Sequence, residues 1–331
     1  MSTVLQQFKD MRYEIEPMVF KFLKELGGAR IIVACSGGSD SVFLLYLLKS
    51  YEEELQLDIV VAHYNHKWRA ESSDQDCHFV QKLSQDLGLV CCVDSSHEDS
   101  VKKNETYARN QRIAFLRKIA QEKESHVIAF GHQCDDILET QIQRLGRGAS
   151  LDGLIAPRPI HKFEQYPTHI RPILRYQSYF IQAALKKVSA QWREDSSNKD
   201  ETIVRNKLRH SIIPELSQLM KRNVSESASR SRYLLEQDAN FLNELAKERL
   251  KACFDLEPKL DRLQLRSQEK PLTRRAFFYW LNSLIDGDSV SSKLQDQILE
   301  AIYGERFREK FSVGRSFVVM NKRYIWIEDC S

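Results

Sequence analysis

The stretch Ile31-Ile-Val-Ala-Cys35, followed at once by Ser36-Gly-Gly-Ser-Asp-Ser41 and then Val42-Phe-Leu-Leu45, decides the fold. A short apolar run rich in β-branched side chains, bounded by glycines, predicts a buried strand. Asp40 to Lys49 carries a broad apolar face and predicts a helix. The same alternation repeats outward. Asp58–His63 reads as a strand, Ser73–Leu87 as a helix stopped by Gly88, and Leu89–Val93 as a buried strand. Asn104–Glu122 reads as a helix, His126–Phe130 as a strand, and Asp135–Leu145 as a helix stopped at Gly146. Strand and helix in turn imply an α/β fold: a Rossmann-like parallel sheet with helices on both faces. Such sheets bind ligands beyond the carboxyl ends of their strands.

Further on the signals change. Ala156–Pro172, with Pro157, Pro159, Pro167 and Pro172, has no period and reads as a loop. Helical patterns resume at Tyr179 and after Thr202, and Pro214 reads as a break. Ser225–Leu250 predicts a long amphipathic helix and Thr273–Ile285 an aromatic-rich one. Ser316–Met320 and Arg323–Ile327, joined at Asn321-Lys322, predict a closing β-hairpin. The 331 residues suggest two domains, placed at 1–220 and 221–331, the second smaller and mainly helical.

Composition narrows the class. The seven cysteines (35, 77, 91, 92, 134, 253, 330) form no CxxC pair, which argues against a disulfide scaffold or a structural zinc site and for a reducing cytoplasm. No run of 18 apolar residues predicts a membrane span, and the first ten residues lack a secretory pattern. A net charge of +3 decides nothing about nucleic acid.

Ser36–Ser41 carries chemistry. Gly37 and Gly38 let the backbone approach an anion, Ser36, Ser39 and Ser41 add donors, and the following helix N-terminus adds unpaired N–H groups. The loop is neither GxxxxGK[ST] nor GxGxxG, and an ordinary strand-to-helix turn is the competing reading. Asp40 favours the phosphate cradle if a cation such as Mg2+ bridges carboxylate and phosphate. After the fourth strand comes Gly131-His132-Gln-Cys-Asp135-Asp136-Ile-Leu-Glu139. Asp135 reads as a helix N-cap. Asp136 and Glu139 share a helix face, either as ligands at the sheet edge or as acids facing the macrodipole.

SGGSDS after the first strand and GHxxDDxxET after the fourth resemble the N-type ATP pyrophosphatases. His63-Tyr-Asn-His66-Lys-Trp-Arg69, Glu105-Thr-Tyr-Ala108-Arg109-Asn-Gln-Arg112, Arg171-Pro172-Ile-Leu174, Asp195-Ser-Ser-Asn198 and Arg205-Asn206-Lys207-Leu-Arg209 follow in order. The whole series resembles the tRNA(Ile)-lysidine synthase family from about residue 30 to 215. His63 stands where that family usually has Asp, Trp68 replaces an aliphatic residue, Gln133 a second His, and Ile113 a Tyr.

The resemblance implies ATP-dependent joining of free L-lysine to C2 of the wobble cytidine of an isoleucine tRNA, through an adenylated cytidine. It implies ATP contacts from Ser36, Gly37, Gly38, Ser39, Asp40, Ser41, Arg109 and His132. Asp40, Arg112, Asp136 and Glu139 are the implied catalytic residues, with Asp40, Asp136 and Glu139 around Mg2+. A solvated helix face is the alternative for Arg109 and Arg112. Arg205, Asn206, Lys207 and Arg209, near Lys186, Lys187, Trp192 and Arg193, are read as an RNA-backbone surface. Lys270–Arg275 and Arg306–Lys310 add positive charge late in the chain. The rivals are a tRNA thiolase on the same loop and a catalytically silent nucleotide- or RNA-binding protein. Oligomeric state is not legible; a homodimer is one open arrangement.

Overall fold

The computed structural model describes residues 3–67, 71–95, 105–163, 165–194, 202–256, 259–285, 290–306 and 308–329. Trp68–Ala70, Asn104, Asp195–Glu201 and Cys330 lie outside the described residues, as do the side chains of Glu71, Ser72 and Glu105. The chain divides into two compact units, residues 1–233 and 234–331.

The first unit opens with helices α1 (Thr3–Asp10) and α2 (Pro17–Leu26). Strand β1 (Ala29–Ala34), helix α3 (Ser39–Ser50), strand β2 (Leu57–Asn65), helix α4 (Glu71–Asp86), strand β3 (Val90–Ser95) and helix α5 (Glu105–Glu122) follow. Then come β4 (Val127–Ala129), α6 (Cys134–Leu145), α7 (Leu151–Leu154), β5 (Ile160–His161), β6 (Thr168–Ile170) and α8 (Ser178–Lys187). The strand order is β3-β2-β1-β4-β6-β5. All pairings are parallel except that of β5 with β6.

Alternation within each central strand builds two cores at once. Ile31, Val33, Ile59, Val61, Val127 and Ala129 join the layer containing α1 and α3. Their neighbours Ile32, Val60, Ala62, Ile128 and Phe130 pack with Phe115, Leu116 and Ile119 of α5. A strand buried on both faces needs a continuous apolar run, which is what Ile31–Ala34 supplies. Helix α3 is buried all round from Ser41 to Leu48, as expected of a helix without a polar face.

Three expectations change. The Ala156–Pro172 segment is not all loop: it contributes β5 and β6, and Thr168–Ile170 pairs in register with Val127–Ala129. Strand β3 is an edge strand, so Cys91 and Cys92 are only half-buried. Pro214 begins a helix instead of breaking one. Helix α9 (Val204–Lys207), a π-helical segment (Leu208–Ile212) and α10 (Ile213–Met220) run on without a gap, and Pro214 sits in the first turn of α10, directly after the π-helical segment.

Helix α11 (Val224–Lys251) crosses the division between the units. The second unit continues with β7 (Phe254–Leu256), β8 (Lys259–Asp261), α12 (Arg262–Arg266), α13 (Lys270–Leu284), α14 (Ser292–Tyr303), β9 (Arg308–Val313), β10 (Ser316–Asn321) and β11 (Tyr324–Asp329). The expected hairpin is β10–β11, its turn fastened by Asn321 Oδ1, which accepts from the amides of Arg323 and Tyr324. It lies inside a five-stranded antiparallel sheet, order β7-β8-β11-β10-β9. Phe277, Trp280, Leu281, Ile298, Val318, Met320 and Ile325 form the core of this unit.

Candidate active site

The sheet order reverses beside β1: its chain neighbour β2 lies on one side and β4 on the other. The loops after β1 and β4 therefore flank the crevice where such sheets take ligands. Gly131 brings them together. A Cβ there would stand 3.3 Å from the carbonyl carbon of Asp40 and from the amide nitrogen of Ser41.

The Ser36–Ser41 loop is organised by the Ser41 hydroxyl. It accepts from the amides of Ser36 (3.2 Å) and Gly37 (3.1 Å) and donates to the carbonyl of Gly38 (3.0 Å). The N-cap of α3 is Gly38, which has no side chain to occupy the first-turn amides. The uncapped start of α3 thus forms a cradle for an oxyanion, and the bonds to Ser41 hold the loop that leads into it. Gly37 holds φ +89°, and a Cβ would also meet Val80 Cγ2 at 3.3 Å. We therefore expect Gly37→Ala to lower the unfolding free energy by about 1–2 kcal/mol through backbone strain alone, and to weaken nucleotide binding. Chemical denaturation with a parallel nucleotide titration checks both; unchanged values would remove Gly37 from the cradle.

Helix α6 is capped by Gln133, not Asp135. The Gln133 side chain accepts from the amide of Asp135 at 2.7 Å, and Asp136 returns a bond to the amide of Gln133 at 2.9 Å. This reciprocal box satisfies two donors and leaves Asp135 free to accept from the amide of Ser178, at the start of α8.

Asp136 and Glu139 are 3% and 1% exposed. Burial of two carboxylates on adjacent turns requires compensating positive charge. Arg205 and Arg209 provide it. Arg205 Nε reaches Glu139 at 2.8 Å and its NH2 reaches Asp136 at 2.5 Å. Arg209 Nε reaches Glu139 at 2.6 Å and its NH2 reaches Asp136 at 2.8 Å. Burial pushes Asp136 up, but Arg205, His132 and Arg209 outweigh it and hold the carboxyl below the usual range. For Glu139 burial prevails over Arg209 and the pKa is raised.

This arrangement departs from the sequence expectation for both arginines. Instead of facing an RNA backbone, they neutralise the acids. Lys207 on the same segment is exposed. Arg193 and Trp192, read with the basic cluster, also turn inward. The Arg193 amide donates to the carbonyl of Gly37 and its Nε to Asp76 (2.8 Å), while Trp192 packs on the core.

The expected three-carboxylate metal set does not close. Both Glu139 oxygens are engaged by arginine, and among the described residues no group of three His, Cys, Asp or Glu side chains converges on one point. Asp40 differs: burial and then the charge of Asp136 push its carboxyl up to about 7, so it lacks compensating charge. His132 is held neutral, down to about 3, by burial and by Arg171. His63 bonds through Nδ1 to the carbonyl of Cys35 at 2.9 Å, a structural tie between β2 and the end of β1. Arg109 and Arg112 are exposed on α5; the charge of Arg112 is felt at His66 and His132, and that of Arg109 at Arg144 and Arg171. The reading from sequence gave no role to Gln133 or Arg171; the RPIL motif containing Arg171 was the available signal.

A family model described as "PP-loop domain" matches residues 11–216. The chain belongs to the PP-loop domain family. Relatives of this PP-loop chain include a tRNA(Ile)-lysidine synthase of Bacillus cereus, 33% identical over 82% of this chain and 59% of the relative. Another, of Geobacter sulfurreducens, is 36% identical over 68% of this chain and 48% of the relative. A third, of Clostridium perfringens, is 30% identical over 71% and 52%. This PP-loop chain thus spans roughly half to three-fifths of their length. Among solved structures, the U34-tRNA thiolase NcsA of Methanococcus maripaludis with its [4Fe-4S] cluster superposes with a TM-score of 0.55 at 15% identity, over 70% of this chain and 79% of that one. At that identity the likeness concerns the PP-loop fold.

Proposed function

We propose that the chain is an ATP-dependent ligase that joins free L-lysine to C2 of the wobble cytidine of an isoleucine tRNA with a CAU anticodon. The observation that carries this reading is the juxtaposition of an oxyanion cradle with a buried acid pair at one sheet edge, in a chain 30–36% identical to proteins named tRNA(Ile)-lysidine synthase. Cytosine O2 attacks the α-phosphorus of ATP and pyrophosphate leaves. The ε-amine of lysine then adds at C2, loses a proton, and AMP departs.

In-line attack at phosphorus needs positioning and charge neutralisation rather than a covalent residue. The first-turn amides of α3 would hold the triphosphate, with the hydroxyl of Ser39 beside them. Arg112 would meet charge gathering at the α-phosphate, and Arg109 would add to that charge. Asp40 and Asp136 repel one another, so their donor set suits a divalent cation. Mg2+ there would neutralise charge on the departing pyrophosphate. Lys207 and Asn206, with Lys270–Arg275 and Arg306–Lys310 of the second unit, would track the tRNA backbone. Among the described residues no helix is long and apolar enough to cross a membrane; we place the reaction in the cytoplasm.

The thiolase reading is weaker in this chain. Burial raises the thiols of Cys91 and Cys253 to about 11 and that of Cys134 to about 12, opposite to what sulfur transfer requires. Mass spectrometry of the anticodon nucleoside after incubation with ATP, lysine and tRNA tests the proposal. A lysine-sized mass gain on cytidine is expected; a sulfur-sized gain, or none, would overturn it.

A further inference from the structure

Arg262 and Arg171 are buried and have no carboxylate ion pair among the described residues, and they are built differently. Arg262, 1% exposed, donates to the carbonyls of Ala301, Ile302, Gly304, Arg306 and Asn321 at 2.5–3.2 Å. Its donors are spent on the ends of α14 and β10, and its role is structural. Arg171, 9% exposed, makes one bond, from NH1 to the carbonyl of Arg158 at 2.6 Å. Its Nε is buried without a partner.

The surroundings of Arg171 deepen the imbalance. It follows β6, and His132 follows the adjacent parallel strand β4, so both stand at the carboxyl edge of the sheet. The Phe130 ring neighbours both: its centroid is 5.8 Å from that of His132, 4.7 Å from that of His169 and 6.0 Å from the Arg171 guanidinium carbon. Each of these three side chains has a buried nitrogen without a partner: His132 Nδ1, His169 Nε2 and Arg171 Nε. The charges nearby are mostly alike. Burial, then Arg109, Arg232 and Arg144, push Arg171 down to about 10, with Asp136 acting the other way. A buried guanidinium in such company is costly unless an anion joins it. Arg205 and Arg209 have their anions within the protein; Arg171 does not.

We propose that Arg171, flanked by His132, receives a phosphate oxyanion of a substrate, at a subsite separate from the Ser36–Ser41 cradle. This rests on the reading of the chain as an ATP- and tRNA-using ligase. The phosphate belongs either to the nucleotide or to the tRNA backbone, and a planar guanidinium fork serves both. In the first case Arg171 holds the nucleotide from the end of β6; in the second it fixes the strand that carries the reacting cytidine.

The test uses the full chain and Arg171→Met, which keeps length and removes charge. Three quantities are measured: the thermal midpoint without ligand, the affinity for α,β-methylene ATP, and the affinity for tRNA at several salt concentrations. The midpoint is expected to hold or rise, because a buried unpaired charge is gone. At least one affinity is expected to fall about tenfold or more. Loss in the nucleotide arm alone assigns the phosphate to ATP. Loss in the tRNA arm, with the salt slope reduced by about one unit, assigns it to the RNA backbone. Equal affinities for both probes in variant and wild type overturn the subsite and leave the reaction standing. Wild-type protein that binds neither probe overturns the reaction itself. Should the methionine variant fail to fold, Arg171→Lys, which keeps charge but not the fork, is read instead. A wild-type midpoint with weakened binding of one probe supports the subsite; full affinity for both overturns it.

Discussion

Replacing Asp40 by asparagine abolishes pyrophosphate release from ATP while raising the thermal midpoint of the ligand-free protein at pH 8. The two effects share one cause. Asp40 lies at the start of α3, and burial together with the charge of Asp136 lifts its pKa from 3.8 to about 7. The unfolded chain releases this proton near pH 4, the folded chain only near 7. The penalty of ionising Asp40 in the folded state is therefore absent below pH 4, grows through that window and is complete above it. Asparagine removes the penalty at pH 8 and changes little at pH 4, where the native side chain is already neutral. The same uncompensated charge is what a cation-bound triphosphate would require, so the variant gains stability and loses chemistry. Midpoints at both pH values, in chelator, and a pyrophosphate assay with tRNA and lysine decide the matter. Near wild-type release would sink the catalytic assignment; a stabilisation no larger at pH 8 than at pH 4 would sink the electrostatic one.

Truncation of Glu139 acts in the opposite sense. Glu139→Ala leaves Arg205 and Arg209 facing Asp136 alone, and breaking a buried ion pair from one side costs about 3–5 kcal/mol. For a domain of this size that is a fall of about 10 °C in the thermal midpoint. Glu139→Gln keeps the shape and an acceptor and should fall less. Both variants are expected to lower the rate far more than the tRNA affinity, because Glu139 sits at the sheet edge rather than on the exposed Lys207 surface. Adding Arg209→Met to Glu139→Ala should return part of the lost midpoint by removing a surplus buried charge. An unchanged midpoint for Glu139→Ala would show that the four contacts are not coupled, and collapse of tRNA affinity at constant rate would move Glu139 to the RNA surface.

Local signals carried much of this structure. Apolar runs at Ile31, Asp58 and His126 became β1, β2 and β4, because central parallel strands must be apolar on both faces. The Ser36–Ser41 loop was legible for a similar reason, since glycines and hydroxyls are its whole mechanism. What failed to show in the sequence depends on distant partners. Strands β5 and β6 are two and three residues long, are flanked by prolines, and owe their extended form to pairing of β6 with β4 and of β5 with β6. The run Leu89–Val93 looks central but lies at an edge, a fact of strand order and not of composition. Arg205 and Arg209 share a helix face, as their spacing implied, but that spacing says nothing of acids 66–73 positions earlier in the chain. Asp135 was a plausible cap, but Gln133 starts the helix two residues earlier and accepts from the Asp135 amide.

The π-helical segment at Leu208–Ile212 amounts to one residue more than an α-helix would hold. That surplus sets the rotational phase between the two halves of the Val204–Met220 rod. The first half turns its arginines to Asp136 and Glu139 of α6, while beyond it Ile213 and Leu216 share an apolar cluster with Leu138 and Ile142 of the same helix. An α-helix advances about 100° per residue, so winding this segment as a regular α-helix with every residue kept would turn the distal half out of phase by about that amount. Either the guanidiniums or the apolar side chains would then lose their targets. Residue number in this short stretch, more than residue identity, is what allows one helix to answer two unlike patches on its neighbour.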